Sequence, residues 1–396
     1  MDDTFIYSDD GKKIIYLINK TITLYTLPDE WENSGLLDLS VIMKQKSVNI
    51  PMGTTTIEHN TFEDSKRLRH VFIPGTVTQM GAAVFRNCVN LRTACIGKGL
   101  KVLEKSTFYG CRQLKSVSLP KHLTAIGPFA FSECSSLESI TIPDGVTVIG
   151  EYAFEGCTNL KSITLPDSVT TIGDRAFKNC KNLKTITLSE ALTEIGIATF
   201  QGCSSLISVN IPNNVTKIGN SAFQECTALE KAILPGKLKS IGKSAFLNCN
   251  SLSAIRIPRN VQKIGDSAFE GCAKLKNASF LSKNLEIIKH STFYGCISLE
   301  HLSLPQELTG IESLAFYGCK SLKVVAIPMG VEIIGYSAFE NCTNLKSIGL
   351  PPETEIGDDA FKGCTSLESI SIKNSKGCAI RICGNNGILT IQQYGQ

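Results

Sequence analysis

The chain has 396 residues, enough for two or three ordinary globular domains, and its 42% apolar content rules out a disordered polymer. Forty basic against 36 acidic residues leave a formal net charge of +4, too even a balance for a dedicated nucleic-acid binder. No apolar run approaches the roughly 18 residues a membrane helix needs, and the acidic start MDDTFIYSDDGKK lacks the basic-then-apolar order of a secretory signal, which points to the cytosol.

In chain order the first element is a hairpin, because FIYSDDGKKIIYLI alternates apolar and polar residues around Asp9-Asp10-Gly11. The stretch from Leu27 to Lys46 holds the only tryptophan, Trp31, and reads as an irregular first turn. Residues 1–46 are therefore expected to cap whatever follows.

From residue 47 to residue 372 the chain repeats itself, and the period decides the architecture. Cys88, Cys111, Cys134, Cys157, Cys180, Cys203, Cys226, Cys249 and Cys272 are each 23 residues apart. Cys296 follows after 24, Cys319 and Cys342 after 23 each, and Cys364 after 22. A Phe stands three residues before each of these thirteen cysteines, and Phe62 starts the series one period earlier, with Ser65 in the cysteine's place. Fourteen of the 18 phenylalanines thus share one structural position.

One module reads CSSLESITIPDGVTVIGEYAF, from Cys134 to Phe154. Leu137, Ile140 and Ile142 have the spacing LxxIxI, and Thr141 between the isoleucines marks a short strand of period two. Pro143 cannot donate a ladder hydrogen bond and ends it. Val146 and Ile149 turn inward on the return path, and Ala153-Phe154 is expected to form one helical or 3₁₀ turn. The residue before the cysteine is Gly or Asn in eleven of thirteen modules; the exceptions are Glu133 and Glu225, so the position is expected to prefer φ > 0 without demanding it. A module this short cannot close its own core and must bury its apolar edge on its neighbours. With strands about 4.8 Å apart, fourteen modules predict a parallel sheet roughly 60 Å long, with Phe, Cys, Leu and Ile in interior ladders.

Residues 373–396 drop the pattern, and ILTIQQY, from Ile388 to Tyr394, reads as the closing strand of a C-terminal cap. Cys378 and Cys383 fall there, outside the ladder, and form either a local disulfide, if the protein is exported, or two free thiols.

The motif C-x-x-L-x-x-I-x-I-P-x-x-V-x-x-I-G-x-x-A-F resembles the bacterial-type leucine-rich repeats of the BspA-like and Treponema (TpLRR) class, over about Ser47 to Ile372. The resemblance implies a right-handed, mostly β, α/β-type solenoid of about fourteen 23-residue modules with a parallel concave sheet. It also implies a surface protein of bacteria or mucosal protozoa, an antigen or adhesin that attaches to host matrix, cell-surface or microbial proteins. The start of the chain departs from that surface pattern.

No catalytic residues, cofactor or metal are expected. Cysteines 23 apart lie in a row and cannot surround one zinc ion, and a buried free thiol behaves as a small apolar residue. Cys95 falls at a solvent-facing strand position and is the candidate reactive thiol. His59, His70, His122, His290 and His301 join no nucleophile–base–acid motif, and no phosphate loop, H-E-x-x-H or G-x-S-x-G occurs. Sequons stand at Asn19, Asn214, Asn277 and Asn341 and matter only on a secretory route.

The natural binding surface is the concave face, formed by the third and fifth residues of LxxIxI. In much of the first half these are small hydroxyls, such as Ser139/Thr141 and Ser162/Thr164. Bulkier side chains stand out as His70 and Phe72, then Lys231 and Ile233, Arg256 and His301, the kinds of residue that anchor protein partners. The expectation is a non-enzymatic protein-binding molecule with no nucleic-acid partner and no membrane span. A cell-surface adhesin is one form of it, and an intracellular scaffold of the same fold is the other.

Overall fold

A computed structural model of the chain describes residues 5–7, 13–18, 21–26, 47–50, 52–373, 379–385 and 388–393, with side chains at 48, 50 and 52–372. Trp31, the Asp9-Asp10-Gly11 turn, Cys378 and the Cys383 side chain lie outside the described residues. The chain divides into two compact units, Met1–Leu192 and Thr193–Gln396. Each is a stretch of parallel β-solenoid built on the 23-residue turn, and no helix occurs among the described residues.

In the first unit, Phe5–Tyr7, Lys13–Ile18 and Thr21–Thr26 pair antiparallel in sequence order. Thr21–Thr26 then runs parallel to Thr56–Ile57, the first of a ladder of two-residue strands. That ladder ends at Gln79–Met80, and a separate ladder of the same kind pairs Val102–Leu103, Ala125–Ile126, Val148–Ile149 and Thr171–Ile172. A second ladder holds the LxxIxI segments: Ser47, His70, Thr93 and Ser116 stand in register on four adjacent parallel strands. Ser162–Thr164 pairs likewise with Thr185–Thr187. Residues 139–141 keep the alternation, with Ile140 and Ile142 buried between exposed Ser139 and Thr141, but they make no ladder strand. Burial of the isoleucines, rather than the ladder, holds that segment in place.

The second unit repeats both ladders. Ser208–Asn210 pairs with Lys231–Ile233, and Ala254–Ile257 with Asn277–Phe280 and then His301–Ser303. Val324–Ala326, Ser347–Leu350 and Ser369–Lys373 follow, and the last of these pairs antiparallel with Ala379–Asn385, which pairs with Ile388–Gln393. The extra residue of the 24-residue step falls at Leu281–Asn284, where Ser282 Oγ donates to the carbonyl of Val261 at 2.5 Å.

The arc that carries Ala-Phe differs from the expected helical or 3₁₀ turn. Tyr152, Phe154 and Gly156 donate their N–H groups to Asp174, Ala176 and Lys178 of the next module, at 2.7–3.0 Å. The alternate residues Ala153, Glu155 and Cys157 donate three residues back, to Gly150, Tyr152 and Phe154. Every second N–H therefore points along the stack, which a helix cannot do. Left-handed residues make this possible. All thirteen residues before the ladder cysteines have φ between 56° and 72°, Glu133 and Glu225 included, so the position demands φ > 0. A second left-handed residue precedes each of them by four, at φ of 51–59°, and in none of the thirteen modules is it Gly; Phe129, Tyr152, Arg175 and Leu314 are among its occupants. A non-Gly residue there costs about 1–2 kcal/mol, offset by the inter-module bonds its backbone makes.

Gly and Asn at the position before the cysteine also answer to each other. A Cβ on Gly110, Gly271 or Gly363 would stand 2.2–2.5 Å from the Oδ1 of Asn87, Asn248 or Asn341 one module earlier. A larger residue in one turn thus favours glycine in the next. The Ile-Gly pairs have a different cause: a Cβ on Gly150 would meet the backbone nitrogen of Pro128 at 2.5 Å.

Within each unit the phenylalanines stack nearly parallel, with ring centroids 5.2–5.5 Å apart in the first unit and 5.1–5.7 Å in the second. The cysteine beside them is more than a small apolar filler. Its Sγ–H donates to the carbonyl of the phenylalanine in the preceding module, as Cys180 does to Phe154 at 3.1 Å and Cys249 to Phe223 at 3.2 Å.

Candidate binding face

Within each unit the parallel LxxIxI strands leave their third and fifth side chains on one face, in rows that follow the register of the ladder. His70, Phe72, Lys231, Ile233, Arg256 and His301 are all exposed there. Phe72 is 45% and Ile233 46% accessible, large values for apolar side chains in a protein whose rung residues are close to zero. His70 Nδ1 shares a 2.8 Å hydrogen bond with Thr93 Oγ1, its neighbour on the next strand. In the second unit Asn277 stands beside His301, and Arg256 beside Ser279. The unit boundary separates His70 and Phe72 from the other four.

Val324 belongs with this group and went unnoticed in the sequence. It holds the third position of LKVVAI and is 60% accessible. An apolar β-branched residue among Val, Ala and Ile reads as core until the register shows which side it faces. Val324, His301, Ser303, Asn277 and Ser279 line a shallow groove of about 410 Å³. From His70 to Ser371 the third and fifth positions of the fourteen modules contain no Asp or Glu, although the chain has 36. The only residues with a fixed charge at those positions are Lys231 and Arg256.

Outside the strand face, Phe129 and Tyr152 stack on the arc at 4.6 Å, and the Arg175 guanidinium lies 5.4 Å over the Tyr152 ring. Phe129, Tyr152 and Arg175 are all half-buried. His59 Nδ1 accepts the Ala82 N–H at 2.8 Å, a structural contact.

Burial pushes the pKa of Cys134, Cys226, Cys249 and Cys296 well above the ordinary thiol value, and that of Cys272 up to about 12. A thiolate is the metal ligand and the nucleophile, so this ladder suits neither role. Cys95, by contrast, is exposed on the strand face as its position predicts. Among the described residues no group of three or more His, Cys, Asp or Glu is placed to hold a metal ion, and no helix is long and apolar enough to cross a membrane.

Three stretches, residues 42–161, 147–276 and 274–378, match the BspA type leucine rich repeat region, in six copies. No curated protein matches the chain. Among solved structures it is similar to a leucine-rich repeat protein from Bacteroides ovatus, at 27% identity over 93% of each chain and a TM-score of 0.66. It is similar to one from Eubacterium ventriosum at 21% identity, over 92% of this chain and 95% of that one, with a TM-score of 0.53. A leucine rich cell surface protein from Faecalibacterium prausnitzii aligns at 28% identity over 95% and 96%, with a TM-score of 0.49.

Proposed function

As the chain belongs to the BspA type leucine-rich-repeat family, we propose that it is a non-enzymatic binding protein, a surface adhesin that attaches to host-matrix, cell-surface or microbial proteins through its strand face. The observation that carries this reading is the exposure of Phe72 in the first unit and of Ile233 and Val324 in the second, at strand-face positions that in most modules hold small side chains. Large apolar side chains held open on rigid strands lose little entropy when a partner covers them. The surface location follows from what the family resemblance implies. The test is attachment of beads coated with the full chain to matrix protein and to whole cells. Binding that a soluble excess of the chain competes away, and that Phe72→Ser with Ile233→Ser weakens, supports the reading; binding indifferent to both substitutions overturns the strand face.

The thiols among the described residues, none of them in a disulfide, favour a second reading, an intracellular scaffold, since reduced thiols survive best in a reducing compartment. Surface biotinylation of intact source cells separates the two: labelled protein supports the adhesin, and labelling only after lysis supports the scaffold.

A further inference from the structure

We propose that the strand face between Lys231 and Val324 takes an acidic, extended polypeptide segment bearing apolar side chains. The inference rests on the reading of the strand face as the binding surface, and it names the partner's chemistry.

Charge is the first observation. From Lys231 to Leu304 the chain has eleven Lys and Arg against four Asp and Glu, a net of +7. Residues 86–121 carry a net of +7 as well, but what distinguishes the stretch from Lys231 is that two of its cations stand at the exposed face positions. On the face itself Lys231 and Arg256 are exposed, and neither has an ion-pair partner among the described residues. Glu230 and Glu300 precede the third-position residues Lys231 and His301 and do not occupy the face positions; Glu300 does line the groove beside Val324, together with Lys323. A partner carboxylate approaching the strands thus meets cations and hydroxyls, with no like charge in the rows it would lie on. Complementary charge of this kind steers encounter and selects partners.

Spacing is the second. Ile233 and Val324 are exposed apolar groups four modules apart, with Arg256 and His301 between them. Four steps of about 4.8 Å span roughly 19 Å, the length of about six extended residues at 3.3 Å each. A segment crossing the strands could therefore seat an apolar side chain at each end and carboxylates between. The groove beside His301 and Val324 gives one end of that segment a recess. The ten face positions from Lys231 to Ala326 contain no Phe, Tyr or Trp on which nucleic-acid bases would stack, and apolar anchors have no use on a phosphodiester backbone. A polypeptide fits these features better than a polynucleotide.

The test is selection of a random twelve-residue peptide display library on the immobilised full chain, followed by anisotropy titration of the enriched peptides. Enrichment of Asp and Glu together with apolar residues is expected, with affinity that falls as salt rises. Lys231→Glu with Arg256→Glu should weaken those peptides by about tenfold or more, while Thr141→Ala with Thr164→Ala should not. Unchanged thermal melts of both variants confirm that the fold is intact. Enriched peptides that are neutral or basic yet lose affinity in the charge-reversed variant overturn the acidic partner and leave the strand face standing. Peptides indifferent to the variant overturn both readings. Failure to enrich any peptide, or tighter binding of a twelve-nucleotide oligothymidine than of the best peptide, overturns the inference.

Discussion

The Phe–Cys arc and the strand face lie in the same 23-residue turn, yet they carry different kinds of information. Along the arc, every rung from Phe85 to Phe361 has the same aromatic ring and the same thiol. Along the strand face, adjacent rungs go from Ser and Thr to Lys, Arg, His and Val. The arc is constrained on both sides, by ring stacking and by a thiol–carbonyl bond to the preceding module. The face is constrained only by the pleat, which asks for something small or β-branched. Stability is therefore written once and copied, and recognition is left to the few positions where copying stops.

The most severe way to break this arrangement is to shift the copies out of phase. Deletion of Cys157–Asn179 removes one whole period of 23 residues and rejoins like to like. Deletion of about half a period brings a strand against an arc and breaks every ladder at one rung. The first variant should melt cooperatively, a few degrees below the parent, because a solenoid's stability is close to a sum over modules and interfaces. The second should lose the cooperative transition in circular dichroism, and equal behaviour of the two would contradict a nearest-neighbour stack.

Within the arc, position along the stack should set the cost of a lost ring. Phe154 is fully buried between Phe131 and Phe177, at 5.2 Å from each. Phe154→Ala should cost about 3–5 kcal/mol. Phe361 stacks at 5.7 Å on Phe339, belongs to the last rung and is only half-buried. Phe361→Ala should cost clearly less in a urea titration, since part of its area is already in water. Equal costs would mean that the last rung is covered by something beyond the described residues.

The thiols sharpen the same contrast. In native protein at neutral pH, Cys95 should react with a thiol reagent and the buried ladder cysteines should not, whereas all should react after denaturation without reductant. The alkaline behaviour follows in sign. A folded-state pKa of about 12 at Cys272, against about 8.5 in an unfolded chain, means that the folded state holds this proton longer. Its contribution is complete below pH ~8.5 and is lost as the pH rises toward 12. The urea midpoint should fall between pH 8 and pH 10, and Cys272→Ala should flatten that fall.

Much of this was legible in the sequence, for a physical reason. A constraint repeated at 23-residue intervals shows itself by spacing alone, so the ladder, the strands and the burial of the cysteines could be read directly. Glycine or asparagine before eleven of the thirteen cysteines likewise pointed to left-handed backbone. The second left-handed position did not show, because it holds Ser, Ala, Tyr, Phe, Arg and Leu and offers no compositional signal. Ala-Phe therefore looked helical, when the arc bonds along the stack. Val324 was hidden for a related reason: period two distinguishes the faces only when one of them is polar. Lys231 and Arg256 were legible as face residues from alternation alone, and both are exposed there.

The smallest effect expected is also the one that separates the two regions most cleanly. Ile233→Ser with Arg256→Ser changes two exposed side chains of the strand face and touches no rung of the arc. Against a bound partner it should weaken affinity by more than about 1 kcal/mol, the threshold that marks a contributing interface residue. The same variant should melt within about 1 °C of the parent, because neither side chain is buried and surface substitutions shift stability by only about 0.5 kcal/mol. Thr141→Ala with Thr164→Ala provides the control in the hydroxyl-paved stretch and should change neither quantity. Calorimetric titration of the partner and a thermal melt of each variant measure both. A shared loss of affinity in the two double variants would mean that the hydroxyl rows bind as strongly as the bulky ones. Loss of stability without loss of affinity would mean that Ile233 and Arg256 support the sheet, and the binding surface would then have to be sought on the arc, where Tyr336 is an exposed aromatic and Tyr152 and Arg175 form a half-buried aromatic and cationic pair.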